Sequence, residues 1–355
     1  MKKTVAIIEF NPFHHETIYS HLKVIDQLEL KPILVLHKRH HWLGWHEQFP
    51  TLYVDTRKSY FSDLIEYFRT IQFIKKNNTE NIIFNSAEGH VVRLFTYFVP
   101  GNIHKIGLIH NAHKLASKKQ QTIVKKLNGL LVLSDLIREN LPLELHNTET
   151  LYATHFPTSL FETNSKKPDS LTICVPGKID YKRKDYNYLI NMANLFQNLG
   201  IRIKLLGNIN SEDGKILLHK IKSEKVESSF VTYDLYLDDQ QFFGEIMTSD
   251  LIMPLIHPSS KSFDHYKKFK ISGAFNLAYA LKKPLLMHSE FDIAEFKDFS
   301  VFYDMDNLEE VLTSLIQTPD KLFQIEKQLN DSLKFKLEHQ AQAYSVLMGL
   351  NTYCL

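Results

Sequence analysis

Short apolar runs alternate along this chain with stretches that carry an apolar residue every third or fourth position. VAIIEF (5–10), KPILVLH (31–37), NIIFNS (81–86), a run at 105–110 and GLLVLSD (129–135) are dense in aliphatic residues with little polar alternation, as buried parallel strands are. Between the first two, residues 16–28 place Ile18, Leu22, Ile25 and Leu28 on one helical face. Residues 61–76 and a segment near 88–98 also read as helices. Residues 38–60, with two Trp, several His and Pro50, break the pattern and read as irregular. After 135 a short helix leads to LYATHF (151–156), which reads as a strand.

Residues 157–170, PTSLFETNSKKPDS, are polar, hold two Pro and have no periodicity, and so predict an interdomain linker. The scheme then starts again. A strand from 171 and a helix over 186–199 are followed by IRIKLLG as a strand and a helix at about 212–225. SSFVTYDLY reads as a strand, 239–248 as a helix and DLIMPLI (250–256) as a strand. A helix at 271–281, KPLLMHS (283–289) as a strand, and helices over 307–317 and 320–348 complete the pattern. Repeated strand–helix alternation predicts an α/β protein of two doubly wound, Rossmann-like domains. Their loops are expected to line a central cleft.

At 355 residues the chain has room for both domains. Its net charge of +2, with 18 His uncounted, gives no global nucleic-acid signal. The two Cys, Cys174 in a predicted strand and Cys354 in the tail, form no disulfide or metal framework, which suits a reducing, cytoplasmic setting. The first apolar run is ended by Glu9 and Asn11, too soon for a signal peptide. No uncharged apolar segment is long enough to span a membrane. Peripheral contact with the inner membrane face stays open.

The strongest chemical signal is the loop between the strand from 171 and the helix from 186. It brings Gly177, Lys178, Lys182, Arg183 and Lys184 to a strand end and a helix start. Ligands of open α/β sheets bind at the carboxyl ends of the strands. Free N–H groups and a partial positive charge at a helix N-terminus favour anions there. The loop therefore suits a phosphate or diphosphate. A second segment, 257–275, places Ser272 and Gly273 at a helix start, with Lys267, Lys268 and Lys270 nearby. Ser caps a helix and Gly admits a ligand to the backbone.

In the first half, FNPFHHETIY puts His14, His15 and Glu16 where a strand gives way to a helix. Either His could serve as a general base toward an acceptor hydroxyl or orient a substrate. The His-His-Glu run lacks the i,i+4 spacing of a helical zinc site, so no metal is assigned. Glu88 follows another strand and could contact an acceptor. HKRHHWLGWHEQF (37–49) mixes cations and aromatics and suits acceptor or membrane contact better than nucleic acid. The basic stretch 114–129 could be a solvated helix face or face a membrane.

PGKIDYKRKDYNYLI resembles the donor-diphosphate loop of GT-B glycosyltransferases, above all the retaining family-4 enzymes. Gly177 matches the loop glycine, Lys178 stands where Arg is usual, and Lys184 or Arg183 matches the lysine, with one residue inserted. LLGNI (205–209), which holds Asn208, looks like the following strand and turn. FKISGAFNLAYALKKPLLMH resembles the nucleotide-binding helix and strand, and the final helix resembles the one that crosses back to the first domain. IGLIHNAHK resembles the turn in which a His reaches the donor sugar, with His110 and His113 as candidates. The chain departs from the family between Leu255 and Pro284, where no Glu stands and Asp264 is the only carboxylate. The resemblance implies domains at 1–160 and 171–330, with 331–355 packing back toward the first. It also implies transfer of a sugar from a nucleotide-diphosphate donor to a glycan or lipid-linked acceptor, without metal or cofactor. Donor binding would rest on Gly177, Lys178, Arg183, Lys184, Asn208, Lys270, Ser272 and Gly273. Catalysis would rest on His14, His15, Glu16, His110 and Lys184, and acceptor contact on Glu88 and His113. The missing glutamates leave open a non-catalytic scaffold or a sugar-nucleotide epimerase.

Overall fold

A computed structural model describes residues 2–56, 59–142, 145, 147–161 and 170–350, apart from the side chains at 42, 43 and 45. Most of the expected linker, both Trp side chains and Cys354 thus lie outside the described residues. The chain divides into two compact units, Met1–Phe156 with Leu333–Leu355, and Pro157–Ser332.

Among its described residues the first unit holds a seven-stranded parallel sheet. Its strands are β1 (Thr4–Glu9), β2 (Lys31–His37), β3 (Thr51–Val54), β4 (Thr79–Phe84), β5 (His104–Ile109), β6 (Gly129–Val132) and β7 (Thr148–Thr150). The order is β3-β2-β1-β4-β5-β6-β7, so the winding reverses between β1 and β4. Ile7 is paired with Leu34 on one side and Ile83 on the other, and every residue of β1 is buried. A strand sandwiched this way must be apolar on both faces. The crossovers are α1 (Ile18–Gln27), α2 (Tyr60–Lys76), α3 (Gly89–Phe95), α4 (Lys118–Val124) and α5 (Asp135–Glu139).

The second unit holds a six-stranded parallel sheet in the order β10-β9-β8-β11-β12-β13. Its elements are β8 (Thr172–Val175), α6 (Tyr186–Asn191), α7 (Ala193–Asn198), β9 (Arg202–Asn208), α8 (Glu212–Ser223), β10 (Phe230–Tyr233), α9 (Asp239–Met247) and β11 (Leu251–Ile252). Then come α10 (Phe263–Lys268), α11 (Gly273–Leu281), β12 (Leu285–His288), β13 (Ser300–Tyr303), α12 (Leu308–Gln317) and α13 (Asp320–Asp331). The winding reverses between β8 and β11. The last helix, α14 (Leu337–Leu347), belongs to the first unit, where Tyr344 hydrogen-bonds His21 of α1 and His104 meets the Leu347 carbonyl at 2.6 Å.

Several elements depart from the periodic reading. β3 lies inside the stretch expected to be irregular; as a half-exposed edge strand it buries only Val54 and leaves little pattern to read. The ladder of the LYATHF region sits earlier, at β7. Residues 151–154 are buried without strand pairing, so burial rather than pairing made them apolar. The helix over 186–199 is interrupted at Met192. The helix over 320–348 breaks at Ser332, whose ψ of 120° leaves the helical region at the boundary between the units. The strand over 250–256 pairs only at Leu251–Ile252, and Pro254 then offers no N–H to extend the ladder. Among the described residues no helix is long and apolar enough to cross a membrane.

Candidate active site

In the second unit the chain leaves β8 through Pro176 and turns at Gly177, whose φ of +84° favours glycine. The loop then lies against β9. A Cβ on Gly207 would fall 2.7 Å from the Gly177 carbonyl oxygen, so this approach also requires glycine. The Lys184 ammonium closes the loop, donating to the carbonyls of Pro176 at 2.5 Å and Lys178 at 3.2 Å. Burial pulls its pKa down to about 7, with the Asp180 charge opposing and Arg183 adding to the fall. Arg183 lies 3.4 Å from Asp180, and both it and Lys178 stay exposed.

Asp185 ends the loop and caps α6, accepting from the Tyr188 N–H at 3.1 Å. Its other oxygen accepts from His257 Nδ1 at 3.2 Å and from the Ser259 hydroxyl at 2.8 Å. The His257 hydrogen bond is the main cause that holds the Asp185 pKa at about 2. A carboxylate cannot donate, so His257 carries a proton on Nδ1, and its Nε2 is hydrogen-bonded to the Tyr303 hydroxyl 2.6 Å away. This buried chain ties the loop after β8 to β13. Sequence reasoning did not find it, because its members are more than 40 residues apart, the His257–Tyr303 separation being 46.

Between the ends of β8 and β11 lies a cavity of about 180 Å³. Gly177, Lys178, Arg183, Lys184, Ser272 and Gly273 all line it. Ser272 caps α11, and a Cβ on Gly273 would meet no atom within 4 Å, so the fold itself does not use that space. Tyr266, Phe242 and Leu277 supply apolar wall that the sequence reading did not name. Asn208 and Lys270 are not among the lining residues. The Asn208 side chain accepts from the Asn210 N–H at 2.7 Å, and Lys270 lies 5.7 Å over the Tyr266 ring. Asp180 is the one carboxylate on the described lining, and it faces Arg183.

In the first unit the corresponding strand ends hold a polar cluster. Glu9, at the end of β1 and fully buried, accepts from the Asn11 N–H and side chain, the Asn85 amide and the Ser86 hydroxyl at 2.5–2.8 Å. Burial outweighs these donors and raises its pKa to about 7. Asn85 also donates to the His14 carbonyl at 2.8 Å, holding His14 in a left-handed turn with φ 65°. His14 stacks on His110 with ring centroids 3.8 Å apart, and its Nδ1 lies 3.4 Å from Glu16. Burial works against the His14 cation, but the Glu16 hydrogen bond and the charges of Glu16, Glu9 and Glu88 outweigh it, so its pKa rises. Burial likewise opposes the Glu16 carboxylate, yet His14, with His110 and His15, holds its pKa near 2. His110 falls to about 4 through burial and the His14 charge.

The structure thus brings His14, Glu16 and His110 together. The His15 ring lies 5.7 Å from that of His40 and its charge also acts on Glu16, and His113 is exposed on the turn after β5. Glu88 is a bracket for that turn. It accepts from the backbone of His110 and Asn111 at 2.8 and 2.9 Å and from Lys114 at 2.5 Å. Glu9 was missed, because the partners that mark it as a site, Asn85 and Ser86, are 76 and 77 positions away. Among the described residues no group of three His, Cys, Asp or Glu side chains is arranged to hold a metal ion.

No protein-family model matches the sequence, and no curated protein matches it. Solved structures do resemble it. A glycosyltransferase from Rickettsia africae aligns over 98% of both chains with a TM-score of 0.64 at 13% identity. The Anabaena HepE protein, solved with UDP and glucose, aligns over 97% of this chain and 98% of its own with a TM-score of 0.69 at 13% identity. A candidate UDP-N-acetylglucosamine 2-epimerase from Listeria monocytogenes aligns over 92% and 91% with a TM-score of 0.60 at 11% identity. Two doubly wound parallel sheets, joined in one chain that superposes on these proteins nearly end to end, give this protein the GT-B fold.

Proposed function

We propose that this protein is a glycosyltransferase that moves a sugar from a nucleotide-diphosphate donor to a glycan or lipid-linked acceptor, as in bacterial surface polysaccharide synthesis. The observation that carries this reading is the basic cavity at the β8–β11 reversal, where Lys178, Arg183 and Lys184 meet the start of α11. As the nucleotide diphosphate leaves, charge grows on its phosphate oxygens. Cations already positioned there stabilise that charge in the transition state. The reading is metal-independent, and turnover unchanged by EDTA is its expected sign. The ability of HepE to hold UDP and glucose supports a uridine nucleotide as the first donor to test. In the first unit, the His14 and His110 edges would hold sugar hydroxyls, and Glu16 would keep His14 charged.

Calorimetry with UDP, GDP and ADP tests the proposal directly. One of them should bind, and the paired change Lys178→Ala with Arg183→Ala should abolish that binding. Failure of all three overturns it. The Listeria neighbour favours a second reading, a sugar-nucleotide epimerase. Conversion of a UDP-sugar with no acceptor present would select that reading.

A further inference from the structure

The first unit has a second cavity, of about 230 Å³, that neither the reversal point nor the proposed donor chemistry uses. It lies between α3 and the segment that leads into α4, with His90, Arg93, Lys114, Ser117 and Lys119 on its walls. One of the permanent charges, Lys114, is already matched. Lys114 is 2.5 Å from Glu88, and His90 is 4.0 Å from Asp63. Arg93 and Lys119 have no carboxylate within 4.0 Å among the described residues. The wall behind them is fixed, because the Gln120 amide donates to the Ala87 carbonyl at 2.6 Å and Ser117 caps α4. Two unmatched cations facing one cavity repel each other until an anion joins them. A guanidinium and an ammonium beside a hydroxyl are the donors that phosphate oxygens take.

We infer that this cavity binds a phosphate-bearing ligand through Arg93 and Lys119. The ligand could be a soluble phosphate ester or the headgroup of an anionic lipid. The second source is worth an arm of the test because exposed aromatics lie beyond the far end of α3. Tyr97 is 57% exposed, and Phe98 rests edge-on against Phe68, itself 54% exposed on α2. The site stands whether or not the protein uses a nucleotide sugar.

The test uses the full chain carrying Lys178→Gln and Arg183→Gln, so that the second unit's loop does not compete for phosphate. Calorimetry with glycerol 3-phosphate and flotation with phosphatidylcholine vesicles containing phosphatidic acid are compared before and after adding Arg93→Gln and Lys119→Gln. Loss of these two cations should weaken binding by about tenfold or more. A loss seen with glycerol 3-phosphate assigns a soluble ester, and a loss seen only in flotation assigns a lipid headgroup. If neither probe binds, or if binding is unchanged without Arg93 and Lys119, the inference is overturned. UDP titration and the melting temperature of the Arg93→Gln, Lys119→Gln chain with its second-unit loop intact should match the wild type, which separates a failed site from a misfolded chain or a failed donor reading.

Discussion

The two units reverse their winding at equivalent points, between β1 and β4 and between β8 and β11, but they treat the crevice there in opposite ways. In the first unit a fully buried carboxylate, Glu9, draws in four donors and fills the space. In the second, Gly177 and Gly207 let the backbone close in, and about 180 Å³ stays open beneath a rim of cations. Topology creates a crevice in each sheet. The side chains at the strand ends decide how much of it is filled and how much stays open.

The contrast breaks most easily at Glu9. Glu9→Ala leaves buried amide and hydroxyl donors unmatched and should cost on the order of 3–4 kcal/mol in urea unfolding, with UDP affinity unchanged. A cost under about 1 kcal/mol would mean that water fills the crevice, making the two units alike. Because the Glu9 pKa rises from 4.5 to about 7, the native state holds a proton there that the unfolded chain has lost. Its contribution is therefore complete at low pH and is lost as the pH rises through about 7. Glu9→Gln cannot titrate, so its stability should gain on the wild type by up to about 3 kcal/mol between pH 4.5 and pH 8.

In the second unit the effects should appear in binding. Lys184→Ala removes both a cation and the clasp on the loop, and should weaken UDP by about 100-fold in calorimetry. Equal affinity would shift the diphosphate contact to Arg183. Since the Lys184 pKa lies at about 7, the bound diphosphate must draw in a proton at higher pH. UDP affinity should therefore fall by about tenfold per pH unit above 7.5 and level off in Lys184→Arg. The smallest effect is expected for Ser272→Ala, about 1 kcal/mol in stability from the lost cap and a few-fold in UDP affinity.

Most of the architecture could be read from local pattern. β1, β2, β4, β5, β8 and β9 are rich in apolar residues because they lie between neighbours on both sides and are mostly buried. The edge strand β3 escaped notice because it buries only Val54, and β13 because a run of four residues is too short to show a pattern. The loop at 177–184 was legible because a glycine and its cations are contiguous and their neighbours in sequence are a strand and a helix. Asn208 looked equivalent, yet its side chain is turned back to its own loop. Glu9 and the Asp185–His257–Tyr303 chain were invisible as sites because their partners come from distant strands, as with Glu9 and Asn85, 76 positions apart.

Residue type and spacing along the chain are enough to specify two parallel α/β sheets and a basic glycine turn at the head of the second. Packing sets the rest: which strand ends meet, that Glu9 is enclosed in one crevice while the other stays open below Lys178 and Arg183, and that Ser272 and Gly273 share the latter's wall. Those outcomes depend on distances between residues far apart in the chain, which no local pattern encodes.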